Sequence, residues 1–296
     1  MNVMWSSVYI YHEGVDADHL ITNLIYPYLS FLKESGCIKR NYFFIRYSIP
    51  SQHIRLRIEF SRDEDDVHAD EYLQSSINRY LQCSSDHDAS RKNIRLERVK
   101  YRREIMRYGG YHGIRLAENF FKISTNGVID VMRTEKTWGY ARAFAASLLL
   151  NATLVRACGL NKKESRKFFS FVYDRWRITL GFGKDQTLSN VSKRLSTEST
   201  NKLYSVLWQF ADVDCESDMS WLDSWKQECK SFATLLNESL TRKRLKFSLN
   251  MTRFMRTHHI PPKWVMLLSL VHMSNNRLGI VNADEVYQAH VLRKCI

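Results

Sequence analysis

The feature that most constrains the fold is His53–Phe60, where polar and apolar side chains alternate without interruption. Its apolar members are Ile54, Leu56, Ile58 and Phe60, and its polar members are His53, Arg55, Arg57 and Glu59. Because successive side chains of a strand point to opposite faces, this run predicts a strand with its apolar face on a core. The preceding run, Tyr42–Ser48, is aromatic and β-branched, and only Ile49–Gln52 separates the two. With Pro50 in that connection, the segment predicts a β-hairpin.

The polar face of this strand allows two interpretations. Arg55 and Arg57 would lie on the same face, about 7 Å apart along the strand. A strand that presents His-x-Arg-x-Arg is suited to holding an anion, because guanidinium groups bind carboxylates through paired hydrogen bonds. The same alternation is also typical of a sheet whose second face is simply solvated. Both interpretations stay open at this point.

The remaining periodicity predicts an α+β fold. Trp5–Tyr11 and Asn93–Tyr101 alternate as strands do, and from Ile114 onward the pattern is helical. We therefore predict a strand-rich part, 1–113, with an antiparallel sheet, followed by a mostly helical part, 114–296. Helices are predicted at Asp63–Gln82, Tyr140–Cys158, Glu164–Leu180, Thr200–Asp212, Trp221–Leu240, Pro261–Asn275 and from Asn282 to near Lys294.

Composition predicts a single globular unit over 1–296. Apolar residues make up 44% of the chain and charged residues 25%, and the chain has only 4 prolines and 11 glycines, with no linker rich in them. The net charge of +13 and the pI near 9.5 indicate an acidic partner. The excess is concentrated in two basic runs, Arg91–Arg115 and Arg242–Arg256. Such runs can equally be solvated faces.

Several classes of protein are disfavoured. The six cysteines show no CxxC pair, and the N-terminus lacks a secretory signal, so free thiols in the cytoplasm are expected. The uncharged stretch Ala143–Val155 is too short to span a bilayer, and no membrane partner is expected. The phosphate-binding GxxxxGK, the GxSxG, HExxH and GxGxxG patterns are absent, and we expect neither a cofactor nor a metal.

Two further segments carry residues suited to chemistry. In Glu104–Gly110 an acid precedes Arg107 by three residues and a glycine pair follows. This pattern suits a turn that directs Arg107 inward, or a surface ion pair ahead of a loop. The other segment is Ser269–Gly279, where His272 lies among apolar residues. It is either a hydrogen-bonded core histidine or a catalytic one.

Taken together, these segments resemble the small, carboxy-terminal domain of class I lanthipeptide dehydratases, which also occurs as stand-alone proteins in thiopeptide biosynthesis. The motifs that carry the resemblance are FFIRY at Phe43–Tyr47, HIRLR at His53–Arg57, ExxRYGG at Glu104–Gly110 and HMxxNRL at His272–Leu278. The resemblance begins at the Trp5 strand and covers most of the chain, while the middle, from about 136 to 248, matches only as helices.

This resemblance implies β-elimination of glutamate from glutamylated Ser or Thr of a ribosomally made precursor peptide, which leaves dehydroalanine or dehydrobutyrine. A separate protein would first attach the glutamate, using glutamyl-tRNA. The family's functional residues fall on Arg55, Arg57, Glu104, Arg107 and His272. His272 would be the acid/base, the arginines would hold the glutamyl carboxylate, the enolate or both, and Glu104 would orient an arginine or, as an alternative, act as the base.

Two other functions compete with this prediction. Within the family, the chain could be a pyridine synthase, which joins two dehydroalanines in a formal [4+2] cycloaddition and releases the leader peptide; that reaction has no glutamate for the arginines to hold. In a different class, it could be a non-catalytic module that binds a peptide or RNA through its basic runs. The sequence does not indicate an oligomeric state.

Overall fold

The computed structural model describes residues 5–83, 93–181 and 207–295. It divides into two compact units, each described by itself below. Unit 1 comprises Met1–Arg103 and Ser124–Glu135, and unit 2 comprises Glu104–Ile123 and Lys136–Ile296. The predicted α+β class, with an antiparallel sheet ahead of a helical part, is confirmed. That residues 1–296 work as one elimination-type domain stays a prediction.

Unit 1 is built on a four-stranded antiparallel sheet. Its strands are β1 (Trp5–Glu13), β2 (Ile38–Tyr47), β3 (His53–Phe60) and β4 (Asn93–Arg98), in the order β2-β3-β1-β4. The predicted hairpin is β2 and β3, and it places Tyr47 opposite His53. β3 is thus an inner strand, bonded to β2 on one side and β1 on the other.

Unit 1 also contains α1 (Ala17–Leu20), a π-helical turn (Ile21–Ile25), α2 (Tyr26–Glu34) and α3 (Asp63–Cys83). Of these, α3 packs against β3. Asp16 caps α1 by accepting the backbone N–H of His19 at 2.8 Å, and Pro27 lies in the first turn of α2, where its missing N–H costs nothing. The four apolar residues of β3 are at most 2% exposed, so the parity prediction is confirmed.

Helix α4 (Gly110–Thr134) begins earlier than predicted. The sequence predicts the helix from Ile114, because the pair Gly109-Gly110 is typical of a turn. Both glycines have positive φ, 81° and 87°, and the chain enters the helix directly from Gly110. Gly113 then allows a close approach, since a Cβ there would lie 1.7 Å from the carbonyl oxygen of Tyr108.

We expect Gly113→Ala to destabilise the protein by about 2–3 kcal/mol, because a backbone carbonyl cannot move away as a flexible side chain does. Chemical denaturation monitored by circular dichroism measures this change. The matched control is Gly139→Ala, where φ is 171° and no atom lies within 4 Å of the new Cβ, so its effect should stay within about 0.5 kcal/mol. Equal stability of the two variants would contradict the predicted clash.

The remaining described residues of unit 2 are mainly helical. Its further helices are α5 (Tyr140–Ala157), α6 (Lys162–Thr179), α7 (Ser220–Thr241), α8 (Leu249–Thr257), α9 (Pro262–Leu278) and α10 (Ala283–Cys295). α5 packs against α7 and α9, and α6 packs against α10. Apart from the predicted Thr200–Asp212, most of which lies outside the described residues, each predicted helix in this region is present with ends shifted by a few residues.

Helix α8 is not among the predicted helices, because nearly all of its sequence belongs to the basic run Arg242–Arg256. Its start is marked by Ser248, whose Oγ accepts the backbone N–H of Met251 at 3.3 Å. The polar sequence that follows the predicted helix Asp63–Gln82 suggests a loop at Cys83–Ser90, which falls almost wholly outside the described residues. Among the helices that are described, none has the length and apolarity that a bilayer crossing requires. Within the same residues, no group of three His, Cys, Asp or Glu side chains is placed to hold a metal ion.

Candidate active site

An arginine–aromatic cluster occupies the polar face of β3 in unit 1. The Arg55 guanidinium lies 3.4 Å from the ring centre of Tyr47 and 4.4 Å from that of Tyr9. These two residues flank Arg55 because β1 and β2 lie on either side of β3. Stacking on two rings holds the guanidinium plane in one orientation while leaving its N–H groups available to a ligand.

His53 holds the Nε of the Arg55 guanidinium through a hydrogen bond. Its Nδ1 donates to the carbonyl oxygen of Ser51 at 2.8 Å, and its Nε2 accepts from Nε of Arg55 at 3.0 Å. This pattern requires the neutral ring. Burial lowers the pKa of His53, and the adjacent Arg55 cation lowers it further. His53 is therefore a hydrogen-bonded support for Arg55, at 1% exposure.

Within the described residues, Arg57 has fewer hydrogen-bond partners than Arg55. Its guanidinium lies 4.4 Å from the ring centre of Tyr101 and 5.5 Å from that of Phe43. Its Nε is buried without a hydrogen-bond acceptor, and no carboxylate of the described residues forms an ion pair with it. The nearby Glu59 is instead bonded to Asn41 Nδ2 at 2.9 Å. A buried N–H without an acceptor is costly, and an anionic ligand would supply one.

These contacts decide between the two interpretations of the polar face. A simply solvated face would leave its side chains in water, but His53 and Glu59 are only 1% and 4% exposed. The solvated-face alternative is therefore wrong for β3. The face presents cations oriented by aromatic rings.

Glu104 and Arg107 form an ion pair in unit 2. Glu104 Oε2 accepts from Arg107 Nη1 at 3.0 Å, and the two side chains are 59% and 39% exposed. The predicted turn is present, since the N–H of Arg107 bonds to the carbonyl of Glu104. The expectation that this turn directs Arg107 inward is wrong: an acid three residues earlier holds the guanidinium at the exposed side of the turn.

The glycine pair after Arg107 admits a second segment of unit 2. The N–H of Lys246 donates to the carbonyl of Gly109 at 2.6 Å. A Cβ on Gly109 would lie 3.1 Å from the Phe247 ring, and one on Gly110 would lie 3.4 Å from the Lys246 backbone oxygen. Glycine is thus favoured at both positions by the positive φ, and at Gly109 the Phe247 ring would also have to shift to admit a Cβ.

His272, on α9 of unit 2, forms a dyad with Glu285 on α10. His272 Nδ1 lies 2.9 Å and 3.0 Å from the two carboxylate oxygens of Glu285. The Glu285 side chain is 2% exposed and that of His272 is 24% exposed. Nδ1–H is donated to the carboxylate, so the neutral form of the ring has its lone pair on Nε2, and no group in the described residues hydrogen-bonds to Nε2. The Trp176 ring packs on the imidazole at 4.7 Å between ring centres.

A buried amide network supports the Glu285 carboxylate. Asn275 Nδ2 lies 2.7 Å from Gln288 Oε1 and 3.4 Å from Glu285 Oε2. Gln288 and Asn151 both donate to Asn275 Oδ1, at 2.9 Å and 2.7 Å. Such a network holds the carboxylate, and through it the imidazole, in one orientation.

Glu285 was missed as a functional residue in the sequence. It was interpreted as part of the helix start at Asn282–Glu285, since acids are common in a first helical turn. One signal was available. Gly279 ends α9 with a φ of 79°, and α10 follows after three further residues, Ile280–Asn282, so the end of α9 and the start of α10 must lie close together.

The described contacts therefore gather the predicted residues into three groups. Arg55 and Arg57 share the arginine–aromatic cluster in unit 1. In unit 2 Glu104 pairs with Arg107, and His272 pairs with Glu285. No hydrogen bond or ion pair among the described residues joins these two pairs of unit 2. That all five act in one reaction stays a prediction.

We expect Glu285→Gln to lower the turnover number of a reaction that uses His272 as its base by about 10- to 100-fold, with little change in the KM for the substrate. The reason is that the amide no longer enforces the Nδ1–H tautomer of His272. Steady-state kinetics measured across the pH range test this expectation, since a purely structural role would not move the pH profile. The matched control is the neighbouring Asp284→Asn, which removes the same charge from the same helical turn. A similar loss in both variants would contradict the positioning role.

The sequence of this chain matches a known protein family. The family model described as "Lantibiotic biosynthesis dehydratase C-term" matches residues 5–296. The match includes the central helices, which the sequence motifs did not cover, and it confirms the predicted resemblance. A search of curated proteins found no match.

Solved structures share the fold at low sequence identity. The tRNA dependent lantibiotic dehydratase MibB from Microbispora sp. 107891 matches with a TM-score of 0.71 at 17% identity, over 99% of this chain and 28% of that one. TsrL matches with a TM-score of 0.70 at 15% identity, covering 99% and 94%. The pyridine synthase TbtD from thiomuracin biosynthesis matches with a TM-score of 0.70 at 12% identity, covering 98% and 97%. The chain thus spans less than a third of MibB.

Proposed function

The chain belongs to the family of lantibiotic biosynthesis dehydratase C-terminal domains, and from this premise we propose that it eliminates glutamate from glutamylated Ser or Thr of a ribosomally made precursor peptide. The observation that carries the proposal is the His272–Glu285 dyad, a partly exposed imidazole with its lone pair on Nε2. The products are glutamate and dehydroalanine or dehydrobutyrine.

In the proposed step, Nε2 of His272 removes the proton from Cα of the glutamylated residue. The electron pair of that C–H bond forms the Cα=Cβ double bond, and the bond from Cβ to the ester oxygen breaks. Glutamate leaves with the electrons of that bond as a carboxylate, and the proton remains on the imidazole. Glu285 favours this change because its carboxylate stabilises the imidazolium that forms.

We propose that the arginine–aromatic cluster supplies positive charge to the reaction. Removal of the Cα proton places negative charge on the neighbouring amide oxygen, and expulsion of glutamate produces a carboxylate. The buried Nε of Arg57 lacks an acceptor, and Arg55 donates only its Nε to His53. Both arginines therefore have N–H groups that could bind the amide oxygen or the glutamate carboxylate. Arg107 is a further candidate, and Glu104 would orient it through their ion pair.

The experiment that tests this function supplies a pre-glutamylated precursor peptide to the purified protein. Mass spectrometry should show loss of one glutamate at each modified residue, and free glutamate should appear in equal amount. An unmodified Ser/Thr peptide is the control and should remain unchanged. Intact glutamylated peptide after prolonged incubation, with peptides from several precursors, would contradict the proposal.

A pyridine synthase is the second candidate function. It is supported by the shared fold, because the pyridine synthase TbtD matches 98% of this chain with a TM-score of 0.70. A peptide that already carries two dehydroalanines separates the two functions. A pyridine synthase would release a macrocycle from the leader peptide, whereas an elimination enzyme would leave this peptide intact.

The proposed partners are the precursor peptide and a separate glutamylating protein that draws on glutamyl-tRNA. The tRNA dependence named for MibB supports the second partner. A non-catalytic peptide- or RNA-binding module is the alternative of another class. It would be favoured if a tRNA fragment bound with a steep salt dependence while no glutamylated peptide was processed.

A further inference from the structure

A basic cavity of about 520 Å³ lies on unit 2, where α6 and α10 pack against each other. Its lining residues are Arg166, Ser170, Arg293 and Lys294. Among the residues that the structure describes, the lining therefore holds three cationic side chains and no carboxylate. His272 and Glu285 are not part of it.

The Arg293 guanidinium is held in place by its neighbours and keeps N–H donors that have no acceptor among the described residues. Its guanidinium lies 3.8 Å from the ring centre of Tyr173, and its Nη2 donates to His290 Nδ1 at 3.0 Å. Its Nε is buried without an acceptor, and no carboxylate in the part of the chain that the structure describes forms an ion pair with Arg293. A stacked guanidinium loses little freedom when a ligand binds, and the acceptor that its Nε lacks must come from elsewhere.

His290 is a neutral hydrogen-bond partner for Arg293 in this region. Burial, followed by the charges of Arg293 and Lys294, lowers the pKa of His290 to about 4. The ring is neutral at physiological pH and can accept the Arg293 hydrogen bond. Ser170 uses its hydroxyl proton on the Arg166 carbonyl at 2.9 Å, so a ligand here would be held chiefly by the cations.

We infer that this cavity binds a phosphate group carried by a small molecule. A phosphate monoester carries a charge of about −1.5 to −2 at neutral pH and offers three strong acceptor oxygens, which suits several converging cations better than a singly charged carboxylate does. The volume exceeds what one phosphate fills and falls within the range of small-molecule sites, so a nucleoside monophosphate would fit.

The test is a titration of the full chain, labelled for histidine NMR, with inorganic phosphate, adenosine monophosphate and acetate at constant ionic strength. Phosphate should shift the His290 resonances saturably and raise the pKa of that ring, because the ligand offsets two nearby cations. Tighter binding of adenosine monophosphate would identify a nucleotide, and equal binding would identify phosphate alone. Acetate should bind about tenfold more weakly. Phosphate binding no tighter than acetate would overturn the inference.

Single substitutions test whether phosphate binds in this cavity. Arg293→Gln should weaken phosphate binding by about tenfold or more, since it removes a charge-assisted hydrogen bond. Arg253→Gln, which removes the same charge from an exposed position on α8, should leave the affinity unchanged. If Arg293→Gln fails to fold, the exposed Lys294→Gln should still lower the affinity severalfold. An equal loss in Arg253→Gln would show a general effect of net charge and overturn the site.

Discussion

His272→Ala is expected to lower the rate of glutamate elimination by about 10²- to 10⁴-fold, the contribution typical of a general base. The glutamylated peptide should still bind, because the substitution removes the base and leaves the arginine–aromatic cluster intact. Single-turnover assays with a pre-glutamylated peptide measure the chemical step, and fluorescence anisotropy measures the binding. A variant that eliminates at the wild-type rate would remove His272 from the mechanism.

Two controls make this result specific to the base. His258→Ala removes an exposed histidine at the end of α8 and should leave the rate unchanged. Added imidazole should restore part of the activity of His272→Ala, because a small base can enter the space left by the ring. Loss of activity without rescue, together with a lower stability, would indicate that His272 supports the packing of α9 on α10 instead.

Arg57→Gln should lower elimination by about 10²- to 10³-fold, as expected when a donor to a developing oxyanion is removed from a site of low dielectric constant. Arg57→Lys should recover only part of this loss, because an ammonium group lacks the planar fork of donors. The kinetic constants also separate the two proposed ligands of the arginine. A fall in turnover number alone indicates the amide oxygen, whereas a rise in KM with weaker inhibition by free glutamate indicates the glutamyl carboxylate.

Arg95→Gln is the matched control for Arg57. Arg95 lies on the same face of the sheet, opposite Tyr11, and its guanidinium stacks on that ring at 4.0 Å. It also lies 3.8 Å from Glu97, so its charge already has a partner. Removing it changes the net charge by the same amount and should leave elimination nearly unchanged. A comparable loss would mean that the face acts through its overall charge and not through Arg57.

Much of the architecture is determined by the sequence alone. The alternation of His53–Phe60 requires an extended strand, because only a period of two places Ile54, Leu56 and Ile58 on one face. Pro50 marks the turn of the hairpin, and the proline pair at Pro261 marks the start of α9. These features are local: each depends on backbone geometry that neighbouring residues set by themselves. The helix boundary at Gly110 was misplaced because a glycine pair is compatible with both a turn and a helix start.

The roles of the side chains were decided by the tertiary structure. Alternation assigned Arg55 and Arg57 to a face, but it could not tell that aromatic rings from β1, β2 and Tyr101 would lie over them, nor that Glu59 would bond to Asn41 and leave Arg57 without an acid. The pairing of His272 with Glu285 depends on the packing of two helices. The exposure of Arg107 depends on the orientation of a turn that could also have faced inward. Sequence determines which groups are available and on which face. Contacts between elements determine which charges are paired with an opposite charge and which are held by neutral groups alone.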